Sequence, residues 1–178
     1  LCSQADPPSA GGLLSFVRPP MPTPEILHGP EELAAFAATC ETALLNGVKH
    51  AVAYPVAANS ANWPADEIKS KNEALFAKLR NAGNVYALFE ADAPEHSPWV
   101  LRYVGERKSD GLRQRLTEHL IKKNAKTGSK LFEIQESVSG GKRIAISFIK
   151  VAPEALRLYV EETIIAKHKA ALPWNTHG

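Results

Sequence analysis

Three observations in the sequence predict an α+β fold. Val85-Tyr86-Ala87-Leu88-Phe89, and the apolar run that leads into Tyr103-Val104-Gly105, have strand length and strand composition. Arg143 to Val151 alternates Ile144, Ile146 and Phe148 against Ala145 and Ser147, which reads as a strand. Helically spaced stretches fall between and after these runs, giving the order strand, strand, helix, helix, strand, helix from residue 85 onward. With 178 residues, 44% of them hydrophobic, the chain can bury a core as one domain with an extension or as two small ones.

Residues 1–29 carry Pro7, Pro8, Pro19, Pro20, Pro22 and Pro24 and are expected to form an extended or partly disordered arm. Pro30-Glu31-Glu32 suits the first turn of a helix ending at Gly47, with Leu33, Phe36, Ala37, Cys40 and Leu44 at helical spacing. Val48 to Val56 has weak strand character. A second helix is expected from Pro64 to about Asn81, burying Ile68, Leu75, Phe76 and Leu79. Residues 30–81 therefore read as a helical N-terminal extension, packed around the sheet or serving as a recognition element, and residues 82–178 as the domain that carries the sheet.

Within 82–178, Pro94 and Pro98 between the two tyrosine strands imply an enlarged hairpin loop around Ala91 to Ser97. Leu112 to Leu120 follows as a helix. Gly128 breaks the chain, and Leu131, Ile134, Gln135 and Val138 suggest a short helix before the alternating strand. The last helix runs from Pro153 to about Lys169.

Several side chains stand out against these elements. Arg115 and His119 are four apart and so share a helix face beside Leu112, Leu116 and Leu120. On the last helix Glu161 falls between the apolar row of Leu156, Val160 and Ile164 and that of Leu158 and Ile165, whereas Glu162 points away. A carboxylate aimed at a core needs a cation or a hydrogen-bond network, and a bound metal ion would supply the first. The net charge of +2 hides a local excess: nine basic residues face three acids between Arg102 and Lys130. Such a cluster suits salt-sensitive binding of a polyanion. The sequence lacks a phosphate-cradling glycine-lysine loop, a dinucleotide fingerprint, zinc-ligand spacing and a nucleophile triad. Cys2 and Cys40 are too few for a disulfide framework, so free thiols are expected. The chain has no apolar run of membrane length and no signal-like segment, which makes the cytoplasm the default location and a membrane partner unexpected.

In this order the residues resemble the GIY-YIG nuclease superfamily, from about Gly83 to Asn175. Asn84-Val85-Tyr86 is similar to the first signature tripeptide and Tyr103-Val104-Gly105 to the second. Arg115 and His119 resemble the catalytic-arginine helix, Glu161 the metal-binding glutamate, and Pro173-Trp174-Asn175 the closing segment. Asn84 stands in place of a glycine, where its tolerance of unusual backbone angles and the preceding Gly83 would preserve the turn. Glu106 stands where many relatives carry a lysine, leaving a helper cation to Arg107 or Lys108.

The resemblance implies a small antiparallel three-stranded sheet flanked by helices and an endonuclease that hydrolyses DNA phosphodiester bonds with Mg2+ or Mn2+ held by Glu161. Arg115 would brace the phosphate through its planar guanidinium. Tyr86 would deprotonate or orient the attacking water. His119 would accept that proton or contact the scissile phosphate, Tyr103 would hydrogen-bond a metal-bound water or the substrate, and Asn175 would complete the site. Arg107, Lys108, Arg113, Lys122 and Lys123 are the expected contacts to double- or single-stranded DNA. Restriction or phage defence is the expected setting. The alternatives are a secreted nuclease toxin with an immunity protein, a repair or recombination nuclease, and a non-cleaving nucleic-acid-binding module; cutting both strands would suit a homodimer.

Overall fold

Four strands form one antiparallel sheet, where three were expected. In a computed structural model that describes residues 30–122 and 128–175, the strands are β1 (His50–Val52), β2 (Val85–Ala91), β3 (Val100–Glu106) and β4 (Arg143–Ile149), ordered β1-β4-β2-β3. The added strand is the three-residue core of the weak Val48–Val56 segment, paired through His50 to Ile146 and Val52 to Ile144. The arm expected over 1–29, together with Lys123, lies outside the described residues.

β2 is central and wholly buried, as its unbroken apolar run requires. Its alternate residues serve two cores. Tyr86 and Leu88 join Tyr103, Ile144 and Ile146 on one face, beneath helices α2 (Ala65–Lys71), α3 (Glu73–Lys78), α4 (Leu112–Leu120) and α5 (Leu131–Ser139). Val85, Ala87 and Phe89 join Val104 and Ala145 on the other face, against α1 (Pro30–Asn46) and α6 (Arg157–His168). Residues 30–81 are thus built into both cores and into the sheet. Ser147 of β4 donates to the Leu44 carbonyl near the end of α1 at 2.7 Å, which ties that helix to the sheet.

The single helix expected from Pro64 to Asn81 is divided at Asn72. That residue spends its amide on other chain segments: Oδ1 accepts from the Ala53 N–H at 2.8 Å, while Nδ2 donates to the carbonyls of Ala53 and Ile68 at 2.8 and 2.7 Å. Its backbone, at φ −110°, leaves the helix there. A side chain that bonds the backbone competes with helix continuation, and here tertiary pairing decides the outcome.

The wheel of α6 needs one correction. Val160 and Ile164 are buried, but Leu158 is 49% exposed, so the apolar face is narrower than the spacing of Leu158 and Ile165 implied. Glu161 remains half-buried and Glu162 exposed, as expected. Among the described residues no helix is long and apolar enough to cross a membrane.

Candidate active site

Register brings the two tyrosines together. Tyr86 pairs with Gly105 and Tyr103 with Leu88, so both phenols rise from one face of adjacent strands, with ring centroids 6.1 Å apart. Gly105 makes this arrangement fit. A Cβ there would lie 2.6 Å from the Tyr86 hydroxyl oxygen and 2.7 Å from Cε1 of Tyr103, so the phenol of Tyr86 lies directly over bare β3 backbone.

α4 lowers His119 onto the pair, with its ring 5.7 Å from that of Tyr86 and 5.2 Å from that of Tyr103. Tyr86 Oη lies 2.9 Å from His119 Nε2, and the Lys130 main-chain N–H donates to His119 Nδ1, also at 2.9 Å. Burial pushes the His119 pKa down from 6.5 to about 3, with the charges of Arg115 and Lys130 adding to the effect, so the ring is neutral. Burial likewise holds the Tyr86 phenol well above its ordinary value. The approach of Tyr103 adds to that rise, and the nearby Arg115 guanidinium opposes it without overcoming it. The positive charge of Arg115, which a base role for Tyr86 would need to lower its pKa, is therefore outweighed by desolvation.

The position of α4 is set from outside the region of resemblance. Tyr54 Oη donates to the Leu120 carbonyl at 3.2 Å and Trp63 Nε1 to the Ile121 carbonyl at 2.7 Å, satisfying the carbonyls a helix leaves bare at its C-terminus. Arg115, on the same helix, donates through Nη2 to the Gly128 carbonyl at 3.1 Å and pairs through Nη1 with Glu118 at 3.5 Å. Its positive charge also lies near both phenols and opposes the rise in their pKa.

Glu161 approaches from the opposite side of the sheet. α6 packs on the face away from the tyrosines and contacts β3, an edge strand, so a side chain reaching around that edge can join both faces. The Glu161 carboxyl is raised from 4.5 to about 7, first by burial and then by the neighbouring carboxylate of Glu106, while the Glu106 main-chain N–H and Arg115 pull it down. Glu106 is itself held by Arg157 Nε at 2.6 Å, so the cation beside the second signature comes from α6. Asn175 occupies the same edge. Its amide donates to the Val104 carbonyl at 2.7 Å and accepts from the Val104 N–H at 2.9 Å, continuing the sheet with a side chain.

Asn84 is needed for a reason other than the one its position suggested. It does not adopt a left-handed backbone; it is buried, and its amide donates to the Val151 carbonyl at 2.9 Å and accepts from the Val151 N–H at 2.8 Å. The amide thus extends the pairing of β2 and β4 past Val85 and Ile149.

The basic residues are distributed over more than one surface. Arg107 and Lys108 are exposed and line a cleft of 490 Å3 with Gln114 and Arg157, beside Glu106. Arg113 lines a different cleft, with Lys69 and Thr117. Lys122 is exposed, and Lys123 lies outside the described residues. The loop after β2 sits at the far end of the hairpin, five residues or about 17 Å along the strand from Tyr86. Arg143 pins it by donating to the carbonyls of Asp92, Pro94 and Glu95 at 2.9 to 3.1 Å.

Sequence reasoning missed Glu118 and Lys130. Glu118 carried a signal, since it lies one turn from Arg115 on the same helix. Lys130 carried none, because its contact with His119 is made by the main chain and depends on how residues 128–130 return to α4.

Fold and site together define an α+β protein with a buried pair of tyrosines and a buried histidine, a part-buried arginine beside them, and a half-buried carboxylate within electrostatic range of the cluster. The chain matches no known family model, no characterised protein and no solved structure.

Proposed function

We propose that this protein is a GIY-YIG-like, divalent-metal-dependent endonuclease acting on DNA. The observation that carries the reading is the convergence of Tyr86, Tyr103, Arg115 and His119 from two strands and one helix, with Glu161 electrostatically coupled to Tyr103 and Arg115. Phosphodiester hydrolysis needs a positioned water, a fixed positive charge for the phosphoryl oxygens, and a carboxylate able to hold a cation. These five residues provide that set.

The Glu161 site fits a cation such as Mg2+ or Mn2+. Its carboxylate is half-buried, lies near Glu106 and has a raised proton affinity, and a divalent charge relieves both causes. Among the described residues no group of three or more His, Cys, Asp or Glu side chains converges, which suits an ion held by one carboxylate, waters and substrate phosphate. Such a cation supplies charge stabilisation at the phosphate when bound. Arg115 keeps its charge at any working pH and offers a planar pair of donors to two phosphate oxygens. Arg107 and Lys108 supply phosphate contacts along the adjoining cleft.

The reading is tested by incubating the purified protein with supercoiled plasmid and with single-stranded DNA in magnesium, in manganese and in chelator. Nicked or linear products that require metal, and that are lost in Arg115→Lys, support it; metal-independent cleavage, or DNA binding without turnover, contradicts it. Restriction or phage defence remains the setting we favour. Host killing relieved by an immunity protein would mark a toxin instead, and preference for flaps or junctions a repair nuclease.

A further inference from the structure

Strict alternation along β3 would put Arg102 and Tyr103 on opposite faces of the sheet. The ladder with β2 prevents this. Tyr103 pairs with Leu88 but Leu101 pairs with Phe89, so Arg102 is an extra residue in β3, a β-bulge of the kind that re-aims a side chain. Two hydrogen bonds show where it is aimed. Arg102 Nη2 donates to Glu90 Oε1 at 2.9 Å, and Glu90 Oε2 accepts from Ser137 Oγ of α5 at 2.6 Å. Because α5 covers the tyrosine face, Arg102 and Tyr103 are consecutive residues that share that face.

A tie between the strands and α5 would use only the Glu90 contact, and a part-exposed ion pair of this kind adds little stability. Arg102 has more to offer. Its side chain keeps 30% exposure, and among the described residues Nη1 is open and has no protein partner. Nε is enclosed without a partner, a desolvation that the ion pair does not return. Neighbouring cations are already matched by carboxylates: Lys142 by Asp92, and Lys130, whose Nζ stands 5.7 Å from the centre of the Tyr103 ring, by Glu133 at 3.6 Å.

We propose that Arg102 holds a phosphate of the bound DNA strand, on the side of Tyr103 away from Arg107 and Lys108. The assignment rests on the nuclease reading and extends its substrate contacts. Nη1 donates to a phosphate oxygen in a charge-assisted hydrogen bond. Arg102 and Arg107 are five residues apart, about 17 Å along a strand. Phosphates of one DNA strand advance about 3.4 Å each along the duplex axis, so the two arginines span about five nucleotides. The substrate strand then runs along β3, with Tyr103 and Arg115 between its two outer grips. Such contacts set register on the strand and read no base sequence.

Fluorescence anisotropy of a labelled DNA duplex, in chelator so that no cleavage intervenes, gives the affinity at a series of salt concentrations. Arg102→Gln is expected to bind about 10-fold more weakly at low salt and to lower the slope of log affinity against log salt by about 0.9 in magnitude, one phosphate contact. An unchanged slope overturns the assignment, whatever the variant loses in urea unfolding, because a purely structural tie does not count phosphates. Glu90→Gln removes the competing charge, keeps an amide oxygen for the Ser137 hydroxyl, and should tighten binding several-fold. That gain should vanish in the Arg102→Gln, Glu90→Gln double variant; an equal gain in both backgrounds contradicts the contact. In cleavage, Arg102→Gln should raise KM more than it lowers kcat, and the opposite split contradicts a binding role. A wild type that never cuts DNA, yet shows the arginine-dependent slope, overturns the nuclease reading and leaves the phosphate contact standing. A wild type that binds no DNA overturns both.

Discussion

Holding His119 neutral inside the cluster makes the fold sensitive to acid, and the size of the effect follows from the burial of the ring. Folding lowers its pKa from 6.5 to about 3. Between those values the unfolded chain binds a proton that the folded chain does not, so stability rises with pH at about 1.4 kcal/mol per pH unit. The contribution is fully present above pH 6.5 and is lost as pH falls toward 3. From pH 7 to pH 5 it removes about 2 kcal/mol, a large fraction of a typical domain's stability. Glu161 acts in the opposite sense: its folded pKa is raised to about 7, so its contribution is lost as pH rises from 4.5. The two oppose each other in the wild-type curve, and the comparison must isolate the histidine. His119→Gln keeps a donor at the Nε2 position and removes the titration. Urea unfolding followed by circular dichroism at pH 7, 6 and 5, in metal-free buffer, gives both curves. The difference between wild type and variant should change by about 2 kcal/mol over that span, with the wild type losing more on acidification. Parallel curves would refute the claim that His119 is buried and neutral.

Other residues give independent tests. Gly105→Ala pushes a methyl group against the Tyr86 phenol and the Tyr103 ring and should cost about 1–3 kcal/mol; a denaturation curve unchanged from wild type would contradict the close approach. Asn84→Ala strands the N–H and carbonyl of Val151 in the interior and should cost about 2–3 kcal/mol by the same assay. Trp63→Phe leaves the Ile121 carbonyl without its donor and should cost about 1 kcal/mol, although residue 63 lies far from the signatures in sequence. Lys108→Ala should weaken DNA binding uniformly across sequences and reduce the magnitude of its salt dependence, read from affinities at several ionic strengths.

What the sequence made legible was periodicity. β2, β3 and β4 follow from apolar runs and alternation, and α4 from the spacing of Leu112, Leu116 and Leu120; these patterns are local and need no knowledge of the partner element. The wheel also placed Glu161 near a buried face and Glu162 away from it. Illegible features depend on pairing across the fold. β1 is three residues long and exists because β4 offers Ile144 to Ile146 as a ladder. Asn72 divides a helix because Ala53 lies within reach of its amide. Asn84 is an edge-of-sheet amide, and its value depends on Val151 arriving beside it. At the site, side-chain identity was readable, but hydrogen-bond polarity was not. The donor to His119 is a main-chain N–H, which every residue but proline has, so only the path of residues 128–130 gives it a role.

The central claim is that Glu161 and the tyrosine, histidine and arginine cluster cleave DNA with a divalent cation. Its most direct test is single-turnover cleavage of supercoiled plasmid across a magnesium titration, comparing wild type with Glu161→Gln, both verified as folded by circular dichroism. Cleavage is expected to rise with magnesium in the wild type and to be lost in the variant while DNA binding persists. Equal cleavage by the two proteins, or a wild type that binds DNA and never cuts it at any magnesium concentration, would contradict it.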